Sequence, residues 1–267
     1  MYNLYRISKI QMKYKDNNNN NIIIIIMIRQ ESIDILNKGY TETYPFPHVV
    51  IDNFLEVDSL EKIVAEVKTM NSNDAYYKAV HRPNILEFNK FAFKYNFPPT
   101  IDKLFKELVS DSFIQSIERL TGIEPIIRND LSLAGAGLHR ICKEGYLSIH
   151  TDFNTYTHEE HGKLDRRINI LIYLNPVWEE EFKGHLWLCN EREAIKKILP
   201  ILNRCVIFNT TSKSFHGHPE RLCVPEGICR ESIACYYYTK NVNDPLDFEG
   251  LPQHPMAVVY PQFKYDF

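Results

Sequence analysis

The sequence predicts a mainly β protein with flanking helices, an α+β chain whose N-terminal helices buttress a β-core. Three observations carry this. Short apolar runs separated by turns recur at 131–141, 145–152, 168–175, 184–189, 204–210 and 231–239, a spacing that suits a sandwich or barrel. Amphipathic helical patterns are confined to the residues before 130, and helices first with strands afterwards suit helices packed on one face of a β-core. The 16 Tyr and 15 Phe favour pleated, half-buried strands.

At 267 residues, with 44% hydrophobic and 24% charged side chains, the chain is long enough for one large β domain with additions. Its pattern divides into a low-complexity tail at 1–43, an N-terminal strand with supporting helices at 44–130, the β-core at 131–240 and an extended C-terminal tail at 241–267. There is no internal repeat.

In the first segment Asn17 to Asn21 is followed by Ile22 to Ile26, a tract with neither helical nor strand period, expected to be disordered. The apolar run ends at Ile28, far short of the roughly 20 residues a membrane span needs. Met27 reads as an alternative start, since the globular pattern begins near Tyr44. From there Pro45 to Asp52 reads as a strand entered through prolines. Asp58 and Glu61 form a capping box for a helix with Leu60, Ile63, Val64, Val67 and Met70 on one face. A second helix follows Pro98-Pro99-Thr100, with Ile101, Leu104, Phe105 and Leu108 on one side. Asp111 caps a third, which carries Phe113, Ile114, Ile117 and Leu120 and stops at Gly122. The segment 241–267 holds four prolines and no period, and is expected to wrap over the surface.

A formal charge of −3 argues against the broad basic surface that non-specific nucleic-acid or membrane binding needs. The six cysteines, at 142, 189, 205, 223, 229 and 235, form no CxxC pair and are expected to be reduced and mostly buried. With no secretory signal pattern, this places the chain inside the cell, in the cytoplasm. No sequence signal bears on oligomeric state.

The chemistry begins at His150-Thr151-Asp152. Two apart on a strand, the histidine and aspartate share a face and offer a nitrogen and a carboxylate together. With one distant histidine they would make the 2-His-1-carboxylate arrangement of non-haem Fe(II) oxygenases, which leaves coordination positions open. The segment Ser214-Phe215-His216-Gly217-His218-Pro219 supplies that histidine, with His216 and His218 both available on one strand face. Arg230 opens an aromatic strand, and its guanidinium fork suits the distal carboxylate of a metal-chelating 2-oxo diacid such as 2-oxoglutarate. Ser232, two residues on, could add a hydrogen bond.

Taken in order, His150-Thr151-Asp152, Arg167 to Asn175 followed by Trp178, Gly184-His185-Leu186 and Ser214-Phe215-His216 with Arg230 make a specific set. On these motifs the segment from Gly145 to Thr239 resembles the catalytic core of the prolyl-hydroxylase-like 2-oxoglutarate oxygenases, with looser similarity from Phe46 to Leu55. The resemblance implies a double-stranded β-helix (jelly-roll or cupin-like) fold and Fe(II) on His150, Asp152 and His216. It implies Arg230 on the distal carboxylate of 2-oxoglutarate, with Tyr173 as a hydrogen-bond donor to it. O2 would be the oxidant, ascorbate a stimulant, and succinate and CO2 the by-products of a hydroxylation. Because Asp152 is intact, hydroxylation is favoured over halogenation. The implied substrate is a prolyl residue in a protein. A free amino acid or small metabolite is the alternative, and a non-catalytic binding module of the same fold a third reading. Relatives often carry a Gly-Gly pair where this chain has Lys183-Gly184.

Three other features carry blander expectations. His158-Glu159-Glu160-His161 lacks zinc-peptidase spacing and reads as an exposed charged loop. Lys163, Arg166 and Arg167 read as solvated surface, and Tyr236 to Tyr238 as packing material of a strand.

Overall fold

The apolar stripes become helices close to their expected limits in the computed structural model, which describes residues 27–29, 39–81, 84–132 and 134–260. Helix α1 is Val57–Thr69 and buries Ser59, Leu60, Ile63 and Val67. Its cap differs from expectation: Glu56 takes the N-cap position and Asp58 sits in the first turn, where its charge faces the positive helix end. Helix α2, Pro99–Leu108, starts on a proline whose missing N–H costs nothing there, and buries Ile101, Leu104, Phe105 and Leu108. The Glu66 carboxylate of α1 accepts from the Thr100 and Ile101 amides at 2.9 Å each, so one helix caps the next. Helix α3, Asp111–Thr121, is capped by Ser110 rather than Asp111 and ends at Gly122, in the left-handed region at φ 70°.

The strands are β1 (His48–Ile51), β2 (Tyr77–Ala79), β3 (Glu87–Phe93), β4 (Gly137–Thr151), β5 (Thr155–His158), β6 (Gly162–Tyr173), β7 (Leu186–Cys189), β8 (Ala194–Ile198), β9 (Cys205–Asn209), β10 (Phe215–His218), β11 (Arg230–Lys240) and β12 (Val258–Val259). They run antiparallel in the order β1-β9-β6-β11-β4-β10-β7-β8, with β3 and β12 also on β4, β2 on β3 and β5 on β6. Strand β4 joins two runs that the sequence shows as separate. Its first half pairs with β11 and its second half with β10. Between them Glu144 has φ 62°, and a Cβ on Gly145 would sit 2.7 Å from the Cys142 carbonyl oxygen. That bend passes the chain from one layer to the other and curls the sheet into the double-stranded β-helix.

Alternation then divides labour on the β6–β11 layer. Ile168, Ile170, Ile172, Ile233, Cys235 and Tyr237 face the three helices in the main core. On the opposite side Tyr173 packs with Leu186, Leu188, Val206 and Phe208 inside the curl. Each apolar side chain fully removed from water contributes about 1.5–3 kcal/mol, so both layers are firmly held.

Several expectations need correction. Met27 and Ile28, assigned to a disordered tail, are 1% exposed and belong to the main core. Their amides donate to the Glu107 carboxylate, and Ile28 bridges Leu55. Apolar side chains outweighed the low-complexity pattern there; residues 1–26 and 30–38 lie outside the described residues. The C-terminal segment is more than a wrapping: β12 pairs with His150 and Thr151, and the buried Asp247 carboxylate accepts from Asn154 Nδ2 at 2.8 Å. Cys142 and Cys229 form a disulfide instead of two thiols, with Cα atoms 4.2 Å apart. Register is the cause: Ile141 pairs with Arg230, so the next residue on one strand meets the preceding residue on the other. The argument from reduced cysteines to the cytoplasm loses its footing. Cys189, Cys205 and Cys235 are free and buried as expected, whereas Cys223 is free and exposed. No helix among the described residues is long and apolar enough to cross a membrane.

Candidate active site

Antiparallel pairing of β10 with β4 sets His216 opposite His150 and brings their rings to 4.5 Å. Asp152, just past the end of β4, completes the set. His150 Nε2 is 3.5 Å from Asp152 Oδ1, and His216 Nε2 is 3.5 Å from Oδ2. One ligand atom from each lies within 4.8 Å of the others, and all three residues are buried. In both histidines Nδ1 lies 2.8 Å from the carbonyl oxygen two residues earlier, of Ser148 and of Ser214. Nδ1–H therefore donates to the backbone, and each Nε2 lone pair is left facing the aspartate. Burial pushes His216 down to about 4, keeping it neutral and able to ligate. This donor set fits a divalent iron. His218 is not brought into it.

Arg166, expected on the surface, is 1% exposed and is the main partner of the aspartate. Its Nη2 donates to Asp152 Oδ2 at 2.8 Å, and Asn169 Nδ2 donates to the same oxygen at 3.1 Å. Burial alone would raise the Asp152 carboxyl, but Arg166, His216 and His150 outweigh it and hold the group well below the usual range. The guanidinium is stacked between Phe153, at 4.5 Å, and Tyr236, at 3.5 Å. A register shift between Tyr237 and Tyr238 opposite this stretch of β6 turns Arg166 inward. Period-two reading cannot anticipate such a bulge.

The second half-site is built on Arg230, 3% exposed. Its Nε donates to the Gly184 carbonyl at 2.9 Å and its Nη2 to the Tyr173 hydroxyl at 3.3 Å, while its Cζ lies 4.9 Å from the centre of the Tyr173 ring. Burial lowers its pKa and only Tyr173 opposes this, so no carboxylate among the described residues neutralises it. A dry guanidinium without a counter-ion is what a carboxylate ligand requires. Tyr173, 0% exposed, is pushed up by burial and keeps its proton to donate. Ser232, also buried, pairs with Tyr173 across the strands.

Beside the metal set stands a wall that the sequence reading missed. The Glu87 carboxylate, 4% exposed, accepts from Lys90 Nζ at 2.7 Å and from the Tyr77 hydroxyl, and lies within electrostatic reach of His150. Of the blander features, His158 closes the β5–β6 turn by accepting the Glu160 and His161 amides on Nδ1. Tyr237 and Tyr238 donate their hydroxyls to the Leu108 and Ala134 carbonyls.

A double-stranded β-helix holding a buried His-Asp-His set at one place and an unneutralised arginine at another defines a class of metal-dependent oxygenases that use a 2-oxo diacid. The model of the 2OG-Fe(II) oxygenase superfamily matches residues 136–238. Prolyl 3-hydroxylase OGFOD1 of Mus musculus is 27% identical over 225 residues, 79% of this chain and 36% of that protein, so the chain spans about a third of this curated relative. A prolyl hydroxylase from Trichoplax adhaerens, solved with a peptide fragment of the hypoxia inducible factor oxygen degradation domain, shares the fold at a TM-score of 0.56 and 17% identity, over 79% of this chain and 90% of that one. A Pseudomonas putida prolyl-4-hydroxylase does so at 0.52 and 13%, over 79% and 98%. Over its β-core the chain is thus similar to the 2-oxoglutarate- and Fe(II)-dependent oxygenases, and among them to proteins named prolyl hydroxylases.

Proposed function

We propose that this oxygenase hydroxylates a prolyl residue in a polypeptide, with His150, Asp152 and His216 holding Fe(II) and Arg230 with Tyr173 holding the distal carboxylate of 2-oxoglutarate. The observation that carries the reading is the pairing of two incomplete half-sites: three buried ligand atoms within 4.8 Å of one another, and a buried Arg230 with no carboxylate. When bound, iron and 2-oxoglutarate supply oxidation by O2, with succinate and CO2 as by-products and ascorbate as a reductant. The chain's own residues bind, orient and enclose. The two Nδ1–H bonds fix the imidazoles with Nε2 forward. Arg166 and Asn169 occupy Asp152 Oδ2, which leaves Oδ1 as the oxygen freer to take part in holding a metal. Arg230 and Tyr173 tether the co-substrate by its far end, and the Glu87–Lys90–Tyr77 wall borders the space beside His150.

A prolyl substrate is supported by the mouse relative and by both solved structures, all of which bear prolyl hydroxylase names. The β5–β6 hairpin from Asn154 to Asp165, just after Asp152, and the segment from Pro219 to Cys229, directly before Arg230, are the candidate edges of a substrate cleft. Anaerobic addition of Fe(II) and then 2-oxoglutarate should give a visible metal-to-ligand charge-transfer band, absent in Asp152→Ala. With O2 present, mass spectrometry should then find one added oxygen on a proline-containing polypeptide from cell extract, with free proline assayed in parallel. Oxidation of free amino acids or metabolites alone would replace the protein substrate with a small one; no band and no turnover would favour a non-catalytic module.

A further inference from the structure

His218 has no task in the metal set, yet it is 2% exposed and neither ring nitrogen has a hydrogen-bond partner. Buried polar atoms are nearly always bonded, and an imidazole with both nitrogens unmatched signals a ligand atom that belongs beside it. Its place on β10 indicates which one. His216 and His218 are two apart on β10 and both are buried; the register shift between them falls on the facing strand, where three steps of β4 from Leu147 to His150 span the two steps of β10. Along β10, His216 pairs with Leu188 and Gly217 with Trp187, so the strand advances from the metal set toward the start of β7. Just before that start lies Gly184, whose carbonyl holds Arg230 Nε. Two strand residues cover roughly 6–7 Å, about the length of a five-carbon diacid. The backbone cannot retreat to turn the ring away, because a Cβ on Gly217 would sit 2.6 Å from the Ser148 carbonyl oxygen. Arg230, Lys90 and His150 are all close enough to act on the His218 ring electrostatically, as they must if it stands between the metal end and the arginine end.

We infer that His218 is a co-substrate-binding residue whose ring N–H donates a hydrogen bond to the distal carboxylate of 2-oxoglutarate, beside Arg230 and Tyr173. The inference rests on the reading of Arg230 given above. The carboxylate is then held from three strands, β11, β6 and β10. The permanent charge of Arg230 supplies attraction, and the imidazole supplies direction from the facing layer. A small apolar residue at 218 would leave the fold intact and the carboxylate less well held.

The test uses the full chain with Fe(II) under anaerobic conditions and follows the charge-transfer band. 2-Oxoglutarate is titrated against pyruvate, a 2-oxo acid that chelates iron but has no distal carboxylate. In His218→Ala the dissociation constant for 2-oxoglutarate should rise about tenfold or more, the range of one hydrogen bond to a charged group. Pyruvate binding and iron content should change less than about twofold, a few tenths of a kcal/mol, because neither involves a distal carboxylate. His218→Gln, which keeps a donor, should recover part of the affinity. Unchanged 2-oxoglutarate affinity in both variants overturns the inference. So does an equal loss for pyruvate and 2-oxoglutarate, which would put His218 at the metal end, or loss of iron from the variants. If the unsubstituted protein gives no band with either acid, the oxygenase site reading fails and the inference with it. A band in the unsubstituted protein with an unaffected His218→Ala refutes only the inference.

Discussion

Replacing Arg166 with methionine removes the charged partner of the Asp152 carboxylate, a candidate metal ligand, while keeping a long side chain between Phe153 and Tyr236. The pair is dry: the two side chains are 1% and 10% exposed, at 2.8 Å. Taking away one member of a buried ion pair costs about 3–5 kcal/mol, because the other charge stays behind uncompensated. Here Asp152 keeps only the Asn169 hydrogen bond on Oδ2. For a chain of this size each kcal/mol moves Tm by about 2–4 °C, so the metal-free variant should melt roughly 6–20 °C lower. A divalent ion restores the missing positive charge, so saturating Mn(II) should stabilise the variant more than the unsubstituted protein. Thermal melts of both proteins, metal-free and metal-loaded, measure this. So does the same substitution in an Asp152→Asn background, where most of the penalty should vanish because no charge is stranded. A metal-free Tm within about 2 °C of the original, or an equal drop in the Asp152→Asn background, would refute the reasoning.

Three further outcomes follow from the same geometry. Arg230→Ala should raise the 2-oxoglutarate requirement about thirtyfold or more, since losing one partner of a buried charge pair costs roughly 2–5 kcal/mol; unchanged affinity would assign the carboxylate to another base. Gly184→Ala forces a Cβ to 2.6 Å from Leu222 Cδ2 and 3.2 Å from Arg230 Cδ at a positive φ of 74°. It should lower Tm and weaken 2-oxoglutarate binding together, and a normal charge-transfer titration would show Arg230 to be insensitive to its support. Cys142→Ser opens a link between residues 87 apart in sequence and should cost about 2–5 kcal/mol in melts, a loss that reductant reproduces in the parent. A non-reducing digest that lacks the Cys142–Cys229 cross-linked peptide would refute the bond.

The legible part of the site is the part written at short range. His150 and Asp152 share a strand face by period alone, and Arg230 announces itself as a permanent charge opening an aromatic strand. The facing layer is what the sequence leaves open. His216 and His218 look alike on paper, and pairing of His216 with His150 sets the first against Asp152 and leaves the second without a partner. Arg166 reads as surface because it belongs to a basic cluster, and its turn toward Asp152 comes at a register shift between β6 and β11 that no local pattern announces. The β2–β3 pair with Glu87 and Lys90 escaped notice because Phe88, Phe91 and Phe93 are mixed with polar residues without strict alternation, although β4 gives it an edge to pair with.

By itself the sequence determined that helices precede a β-core, which helical faces meet the β-layer, and which residues are candidates to bind metal and carboxylate. Those follow from periodicity and side-chain chemistry, which are local. Only the tertiary structure decided which histidine joins the aspartate, that Cys142 meets Cys229, that Met27 and Ile28 enter the core, and that Arg166 governs Asp152. The histidine pair and the disulfide depend on strand register, Arg166 on a register shift, and Met27 and Ile28 on the Glu107 carboxylate and the main core; all are set by the packing of whole layers rather than by neighbouring residues.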